Sequence, residues 1–286
     1  KGSLLLKNIP NHKGYKAIKM YFRAQNIYEM TVTEFEPIIE VIEEAYEIPH
    51  LNATRKISAL LPHDYYQTEK QYPVLYLQDG QNLFNPMAPY GDWAIDKSMA
   101  KLAEEGLSDI IIIAIDHGEK ERIIEYLPYY HPRFGEGKGN FYIQFMIEKL
   151  IPYINKKYRT LSDFEHTGIG GSSMGGLISL HAGLSNPGVF GKMMIFSPSL
   201  WISKTIFNST KSFKPLQESK IYLYAGGQES KEHLPNAQKL EGIIRKKMVK
   251  GHNIDFHFSV NEFGNHSEMH WREEFPVAVK WLFFNK

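Results

Sequence analysis

One stretch, His166 to Ser179 (HTGIGGSSMGGLIS), restricts the folds open to this chain more than any other. A short β-compatible run meets a cluster of five glycines with two serines in it, and the residues that follow have a helical pattern. The order strand, tight turn, helix encloses G-x-S-x-G, with Ser173 at its centre. Side chains at Gly171 and Gly175 would collide with the neighbouring strand and helix, so glycines are needed to raise a serine on this strained turn. We therefore predict that Ser173 is a nucleophile, the alternative being a glycine-rich loop with an incidental serine.

The helix after this turn predicts one half of an oxyanion hole. Its first N–H groups point at the serine, so the N–H of Met174 is expected to stabilise an oxyanion beside Ser173. The second donor is expected in the loop DGQNLF, which follows the run Val74 to Gln78. Because the glycine at position 80 allows a substrate oxygen to come close, we assign the second donor to the amide of Gln81. An ordinary Asp-Gly turn is the alternative for that loop.

Hydrophobic periodicity elsewhere predicts a regular alternation of strands and helices. Short buried runs predict strands, and longer periodic stretches predict helices, one of them bent or broken at Pro152. The predicted strands are Val74–Gln78, Ile110–Ile115, His166–Gly170, Lys192–Phe196, Ile221–Ala225 and Ile254–Val260, and the predicted helices are Trp93–Glu105, Tyr142–Tyr158, Ser173–Leu184, Pro235–Val249 and Trp271–Phe284. This alternation predicts an α/β fold with a mostly parallel central sheet, helices on both faces, and ligands at the carboxyl ends of the strands.

The pattern divides the chain into two parts. Residues 49–286 carry the alternation without repeats or low-complexity tracts and are predicted to form one catalytic domain. Residues 1–48 show no capped helix, and we interpret them as an N-terminal β extension or accessory segment. Their β-type runs are Leu4–Leu6, Ile18–Phe22, Tyr28–Phe35 and Ile38–Tyr46.

Composition narrows the classes of partner. Apolar residues make up 43% of the chain and charged residues 23%, which suits a large core. The formal net charge of +1 gives no electrostatic reason to expect nucleic acid or an anionic membrane as a partner. The longest apolar run, Ile110 to Ile115, is far shorter than the roughly 20 residues that cross a bilayer. Because cysteine is absent, disulfides, thiol nucleophiles and thiolate metal sites are excluded.

These features lead us to expect a soluble protein, and we expect it to be bacterial. The chain begins at Lys1 rather than at a methionine, which favours a periplasmic or secreted protein whose leader is absent from this sequence. The compartment and the oligomeric state are left open.

A base that would activate the serine is expected downstream of it. In folds of this type the order along the chain is serine, acid, histidine, each in a loop after a successive strand. His181 would lie on the helix that follows Ser173, and His257 lies inside a predicted strand. His266 lies in the loop between the last strand and the last helix, in EFGNHSEMHW, so we predict that it is the base.

The acid that orients this histidine is expected after the preceding strand. That strand is IYLYA, and the sequence GGQES follows it, with Glu229 near the carboxyl end of the strand. We therefore predict that Glu229 is the acid, with Glu232 and Asp255 as the other candidates. An exposed loop carboxylate or a helix cap is the alternative interpretation of Glu229.

A metal site at the same loop is the competing hypothesis. His266, Glu268 and His270 form H-x-E-x-H, in which two histidines four residues apart would share a helix face. The metalloprotease pattern is HExxH, and no third ligand is evident nearby. We expect neither a metal nor a cofactor, and we assign Glu268 to support of the loop or contact with substrate.

Six motifs occur in a fixed order across about residues 50–286: PVLYLQDGQNLF, GDWAID, GIGGSSMGGLISL, MMIFSPSLW, IYLYAGGQES and NEFGNHSEMHW. With them the chain resembles the esterase branch of the α/β-hydrolases, a group that includes esterase D-like enzymes, enterochelin-type siderophore esterases and carbohydrate esterase family 1. The resemblance implies an α/β-hydrolase fold. It also implies the roles already assigned to Ser173, His266, Glu229, Gln81 and Met174.

The same resemblance implies a substrate pocket. Trp93 and the loop from Ser197 to Trp201, with Ser199 and Trp201 as its contact residues, would line the acyl or alcohol pocket. Arg122 lies in IDHGEKERIIEYLPYY, which looks like the family's loop over the site.

We therefore expect a serine carboxylic ester hydrolase that works through an acyl-enzyme, with a carbohydrate-linked acetyl or feruloyl ester as substrate. A siderophore-type esterase, a small thioesterase or an acyltransferase would use the same triad. A hypothesis of another class is a catalytically inactive glycan-binding protein on a hydrolase fold. Nucleophile, acid and base candidates in the expected order argue against it.

Overall fold

The structure is a computed structural model and describes residues 34–284. Its centre is one sheet of eight strands in the order β1-β2-β4-β3-β5-β6-β7-β8. The strands are β1 Ile38–Ile48, β2 Ala53–Leu61, β3 Val74–Gln78, β4 Ile111–Ile115, β5 Thr167–Ser172, β6 Lys192–Phe196, β7 Ser219–Gly226 and β8 Ile254–Asn261. Strands β3 to β8 are parallel to one another, and β2 is antiparallel to both β1 and β4.

Helices cover both faces of this sheet. One buried cluster joins the sheet to α3 to α7, and a second joins its other face to α1 and α8. The helices are α1 Ile95–Glu104, α2 Arg122–Glu125, α3 Gly139–Phe145, α4 Ile151–Lys157, α5 Met174–Ser185, α6 Thr205–Ser212, α7 His233–Val249 and α8 Glu268–Val279. Within residues 34–284, none of the helices combines the length and apolarity that a membrane crossing requires. The predicted α/β sheet with helices on both faces is confirmed.

The central strands are apolar throughout because both of their faces are covered. Every residue of β3 and β4 is buried, and the two strands pair in parallel from Val74 with Ile111 to Gln78 with Ile115. A strand buried on both sides has no solvent face that would require alternation. Continuous short apolar runs therefore predicted these strands correctly.

Two long predicted helices differ from the structure. The helix predicted over Tyr142–Tyr158 is α3 and α4 joined by a π-helical turn, Met146–Leu150. Pro152 lies just after this π-helical turn, so the change of helix type stands where a proline lacks the N–H of an uninterrupted helix and where a bend or break was predicted. The last helix begins at Glu268, not at Trp271, and also ends in a π-helical turn at 280–284. The short helices α2 and α6 were not predicted.

The end of the predicted N-terminal extension forms the edge of the sheet. Strand β1 pairs antiparallel with β2, and its register shifts twice between Val41 and Tyr46. Its exposed positions include Glu43, Glu44 and Glu47, and charged side chains and bulges protect an edge strand against pairing with other chains. The β-type runs predicted before residue 34 lie outside the described residues, and the domain boundary at residue 48 stays a prediction.

Candidate active site

Ser173 lies on a sharp turn between β5 and α5. Its φ of 57° and ψ of −118° place a non-glycine residue in a strained region of backbone space. Its N–H donates to the carbonyl of Phe196 (3.0 Å), and its carbonyl accepts from the N–H of Ser199 (3.0 Å). The strained conformation is therefore held by hydrogen bonds to the end of β6 and to the loop after it. The Oγ of Ser173 lies 3.2 Å from the Oγ of Ser199.

The glycines of the turn are needed for the space that they leave. A Cβ on Gly171 would lie 2.9 Å from the backbone carbon of Gly175. A Cβ on Gly175 would lie 2.6 Å from an oxygen of Asp79 and 3.0 Å from the Cβ of Gln78. Gly175 in the first turn of α5 therefore lies directly against side chains at the end of β3 and against the backbone of the β5 turn at Gly171, as the G-x-S-x-G spacing predicts.

Glu229 lies three residues after β7, and its carboxylate is held on one side by two donors. Its Oε1 accepts hydrogen bonds from the N–H of Gly226 (2.6 Å) and from the hydroxyl of Ser197 (2.5 Å). The same hydroxyl accepts from the indole N–H of Trp271 (3.0 Å). The carboxylate is fully buried, so these contacts replace the water that it loses.

His266 contacts the other oxygen of this carboxylate. Its Nδ1 lies 2.7 Å from the Oε2 of Glu229, and its ring packs edge-on against Trp271 at 4.9 Å. An ionised carboxylate only accepts, so the ring proton lies on Nδ1 and the lone pair lies on Nε2. This is the tautomer that a general base requires.

A second histidine approaches the same oxygen. The Nε2 of His233, the first residue of α7, lies 3.0 Å from the Oε2 of Glu229, and the His233 and His266 rings are 5.0 Å apart. Burial by itself would raise the pKa of Glu229, but contacts with His233, His266 and Ser197 outweigh it and hold that pKa well below its usual range. Burial would likewise lower the pKa of His233, and the carboxylate beside it outweighs burial and raises that pKa.

These residues share one cleft of about 370 Å³. It is lined by Arg122, Ile123, Phe134, Ser173, Met174, Ser199, Trp201, Ile202, Glu229, Ser230, His233 and His266. The three predicted catalytic residues therefore face one space, together with the predicted Met174, Ser199, Trp201 and Arg122. A larger groove of about 790 Å³ is lined mainly by α1 and α8 and shares no residue with the cleft.

Arg122 enters the cleft as half of an ion pair. Its guanidinium binds both carboxylate oxygens of Asp79, with Nε 2.6 Å from Oδ1 and a terminal nitrogen 2.8 Å from Oδ2. Burial would lower the pKa of Arg122, but the carboxylate outweighs it and raises that pKa. Glu268, at the start of α8, is half-buried, and burial raises its pKa above the usual value. The Cβ and Cγ of Glu268 lie next to Gly91. Glu268 is not among the residues that line the cleft.

Two other predicted site residues, Gln81 and Trp93, do not line the cleft. The side-chain amide of Gln81 bridges the N–H and the carbonyl of His117. Trp93 is 2% exposed and packs against Phe196 and Trp271, so it does not line the cleft as expected. Its indole fills the core under the carboxyl end of β6, where a large aromatic side chain contributes packing.

The structure does not support Asp255 as the acid or H-x-E-x-H as a metal site. Asp255 lies near the amino end of β8, beside Lys220, while the site is formed at the carboxyl ends of the strands. The Nδ1 of His270 accepts from the N–H of Asn265 and contacts the hydroxyl of Ser267, so H-x-E-x-H does not gather its ligands at one point. In the part of the chain that the structure describes, the cluster with metal-ligand spacing is Glu229, His233 and His266.

Sequence reasoning gave no supporting role to three residues that hold this site together: Asp79, His233, and Ser197, which it placed only in the loop that lines the pocket. Asp79 and Ser197, like Ser173, have positive φ values (61° and 42°), and each follows directly after a buried strand. Strained residues cluster at functional sites, and their position after β3 and β6 is a signal available from the sequence. His233 offered no signal beyond its distance of four residues from Glu229.

Comparison with other proteins gives the same fold. The chain is 26% identical over 250 residues to Uncharacterized protein YbbA of Bacillus subtilis (strain 168). The aligned residues cover 82% of this chain and 94% of that protein. The structure of this chain is similar to that of an IroE-like serine hydrolase from Shewanella oneidensis, with a TM-score of 0.70 and 19% identity over 87% of this chain and 80% of that chain. It is also similar to a ferulic acid esterase, with a TM-score of 0.62 and 20% identity over 87% of this chain and 98% of that chain. The fold is the α/β-hydrolase fold.

A family profile covers most of the chain. The profile described as Putative esterase matches residues 48–282, a span that contains Ser173, Glu229, His266 and all strands from β2 to β8. The resemblance inferred from the six motifs is therefore confirmed. By this match the chain belongs to the Putative esterase family and is an ester hydrolase.

Proposed function

We propose that the chain is a serine carboxylic ester hydrolase that works through an acyl-enzyme, with Ser173, His266 and Glu229 as its triad. The observation that carries the proposal is the 2.7 Å contact of His266 with a buried carboxylate in the cleft that Ser173 lines. This contact sets the tautomer in which Nε2 accepts a proton.

The chemistry follows from these positions. The Oγ of Ser173 attacks the ester carbonyl while Nε2 of His266 takes its proton, and the imidazolium is stabilised by Glu229. The tetrahedral intermediate expels the alcohol, which receives the proton from His266 and leaves an acyl-serine. Water then attacks the acyl group, with His266 taking and returning a proton once more, and frees the acid.

The oxyanion of each tetrahedral intermediate needs N–H donors. Met174 is the first residue of α5, where the N–H groups have no partner within the helix, and Gln81 lies in the short 3-10 helix after β3. We assign the two donors to the N–H groups of these residues. Each such donor contributes about 3 kcal/mol to stabilisation of the transition state.

The shape of the cleft supports a carbohydrate-linked acetyl or feruloyl ester. Its volume of about 370 Å³ is near the lower end of the roughly 300–1,000 Å³ typical of small-molecule sites, which fits one acyl group better than a bulky multi-ring ligand. Phe134 and Trp201 lie at its wall, and Trp201 is 53% exposed. An exposed indole is suited to stacking on an aromatic acyl group or on a sugar ring. The similarity to a ferulic acid esterase is in keeping with this substrate class.

The test combines active-site labelling with a substrate panel. A fluorophosphonate probe should form one adduct, mapped by mass spectrometry to Ser173, and Ser173→Ala should lose both the adduct and nearly all turnover while keeping its fold. Ser199→Ala is the matched control for labelling, because its hydroxyl lies 3.2 Å from that of Ser173 and should not be the labelled atom. An adduct that persists in Ser173→Ala would show that the nucleophile is elsewhere.

The panel then separates the candidate activities. Methyl ferulate, acetylated xylan and p-nitrophenyl acetate distinguish a feruloyl esterase from an acetyl esterase. A siderophore trilactone, an acyl thioester, and a sugar acceptor added to the acetyl donor test the siderophore esterase, thioesterase and acyltransferase alternatives. No labelling and no turnover of any ester would favour the inactive glycan-binding protein.

A further inference from the structure

We propose that Glu229, His233 and His266 form a binding site for a divalent transition-metal ion, zinc above all, and that a bound ion inhibits the enzyme. One ligand atom from each of the three side chains lies within 4.8 Å of the other two. A carboxylate and two imidazoles are a donor set that zinc uses in proteins. The imidazole nitrogens favour zinc over magnesium or calcium, which prefer oxygen ligands.

Two of the three ligand side chains, Glu229 and His233, are held in place by their surroundings. The Oε1 of Glu229 is held by Gly226 and Ser197, which leaves Oε2 directed at the two rings. His233 is 8% exposed, and its Nε2 makes no hydrogen bond of good geometry within residues 34–284, although it lies 3.0 Å from Oε2. The Nδ1 of His266 and the Nε2 of His233 therefore converge on the same carboxylate oxygen, as two ligands of one ion would. Hydrogen bonds to the outer oxygen of a ligating carboxylate orient it for metal binding.

Small movements bring the three ligands to zinc distances. Ligands at the usual zinc distances in a tetrahedron are about 3.3–3.5 Å apart. The two contacts of Oε2, 2.7 Å to His266 and 3.0 Å to His233, need to lengthen by about half an ångström to reach that spacing, and the two ring nitrogens, which lie within 4.8 Å of each other, need to settle at the same spacing. His266 can make this adjustment because its side chain is 35% exposed. All three ligands line the cleft, and the Arg122 guanidinium in the same lining is paired with Asp79.

Occupation of the site removes the general base. A zinc ion on Nδ1 of His266 uses the lone pair of that nitrogen, so the proton of the neutral ring moves to Nε2. An imidazole with its proton on Nε2 cannot accept the proton of Ser173. The ion also replaces the hydrogen bond between His266 and Glu229, so it blocks catalysis without entering the acyl pocket.

Calorimetric titration of the metal-free full chain with zinc chloride at neutral pH tests the site. We expect one ion per chain, and we expect His233→Ala to weaken its affinity at least about tenfold. His266→Ala removes the other imidazole from a partly exposed position and should have an effect of the same size, so the result does not depend on the folding of one variant. His50→Ala changes an exposed histidine outside the cluster and should keep the wild-type affinity.

Inhibition is the second measurement, and it rests on the proposed function whereas binding does not. Zinc at the concentrations that bind should stop the hydrolysis of p-nitrophenyl acetate, and EDTA should restore it. Lack of one-to-one binding at millimolar zinc, or wild-type affinity in His233→Ala, would overturn the metal site. Binding without inhibition of an active enzyme would overturn its inhibitory role. Binding to a protein that hydrolyses no ester would contradict the proposed function and leave the metal site standing.

Discussion

Glu229 carries four contacts at once, and its two oxygens have different tasks. One oxygen is held by Gly226 and Ser197, and the other faces His266 and His233. Burial of a carboxylate is unfavourable unless donors replace its water, and here each oxygen has its own donors. The side chain can therefore stay ionised, which a triad acid must do.

Glu229→Gln should remove that charge with little change of shape. The amide presents a donor to His266 in place of an acceptor, or leaves its Nδ1 proton unsatisfied, so the ring loses the tautomer of a base. By analogy with a triad whose aspartate is made an amide, we expect kcat to fall about 10³- to 10⁴-fold. Steady-state kinetics on p-nitrophenyl acetate check this, with Glu232→Gln on the neighbouring exposed position as control. A loss below about tenfold would mean that the acid is elsewhere.

Ser197 gives a separable test of positioning. Ser197→Ala leaves Oε1 of Glu229 with one donor and leaves the buried Trp271 N–H unpaired, which should lower the free energy of unfolding by about 1–3 kcal/mol. A less well-held carboxylate should also reduce kcat, on the order of tenfold to a hundredfold. Urea unfolding and kinetics of the same samples measure the two effects.

The matched variant is Ser197→Gly. It removes the same hydroxyl, and glycine adopts the φ of 42° at this position without steric strain. We expect it to unfold less readily than Ser197→Ala and to lose as much activity. Equal activity in wild type and both variants would show that the hydroxyl does not position Glu229.

At the scale of elements, the site depends on how closely α5 approaches β3. Gly175 lies in the first turn of α5, against Asp79 at the end of β3. Asp79 in turn holds Arg122 of α2 at the wall of the cleft. One glycine therefore sets the spacing of three elements that meet at the nucleophile.

Gly175→Ala should separate those elements. Its Cβ would lie 2.6 Å from a carboxylate oxygen of Asp79, so we expect a loss of about 1–3 kcal/mol in the free energy of unfolding together with lower turnover. Gly242→Ala is the control in α7, because nothing lies within 4 Å of its added Cβ. There the same exchange should raise stability by about 0.5–1 kcal/mol. Thermal unfolding of both proteins compares them, and a Gly175→Ala protein as stable as wild type would refute the close contact.

At the scale of the molecule, one buried histidine ties the wall of the cleft to the body of the protein. His181 on α5 accepts a hydrogen bond at Nδ1 from the hydroxyl of Tyr129 (2.9 Å) and donates from Nε2 to the side chain of Asn140 (3.0 Å). Tyr129 also contacts Ser209 of α6. Both ring nitrogens are used in the neutral form, and burial lowers the pKa of His181 to about 4.

This histidine should make stability depend on pH. The unfolded state takes up the proton near pH 6.5 and the folded state only near pH 4, so stability that is present above about pH 6.5 is lost as the pH falls through this window. The contribution of His181 between pH 7 and pH 5 is about 2 kcal/mol. His181→Gln keeps a donor and an acceptor but does not titrate. Urea unfolding at both pH values should show that, from pH 7 to pH 5, the free energy of unfolding of wild type falls by about 2 kcal/mol more than that of His181→Gln. Equal losses in the two proteins would contradict the assignment.

Much of the fold was predictable because local signals agree with the tertiary structure. Short apolar runs predicted β3 and β4, whose residues are all buried. The glycines around Ser173 predicted a turn that only residues without side chains can make at Gly171 and Gly175. The helices were less predictable at their ends, because the π-helical turn at 146–150 has no side-chain capping hydrogen bond that a sequence pattern would reveal.

The amino-acid sequence by itself determined the order of strands and helices, the strained turn at Ser173, and the order of serine, acid and histidine. Those properties depend on neighbours in the chain, on periodicity and on backbone freedom. Only the tertiary structure decided that Ser197 and His233 share Glu229 with His266, that Asp79 pairs with Arg122, and that Trp93 belongs to the core. Such contacts join loops after different strands, and their distances are set by the order and register of the sheet, which no local pattern records.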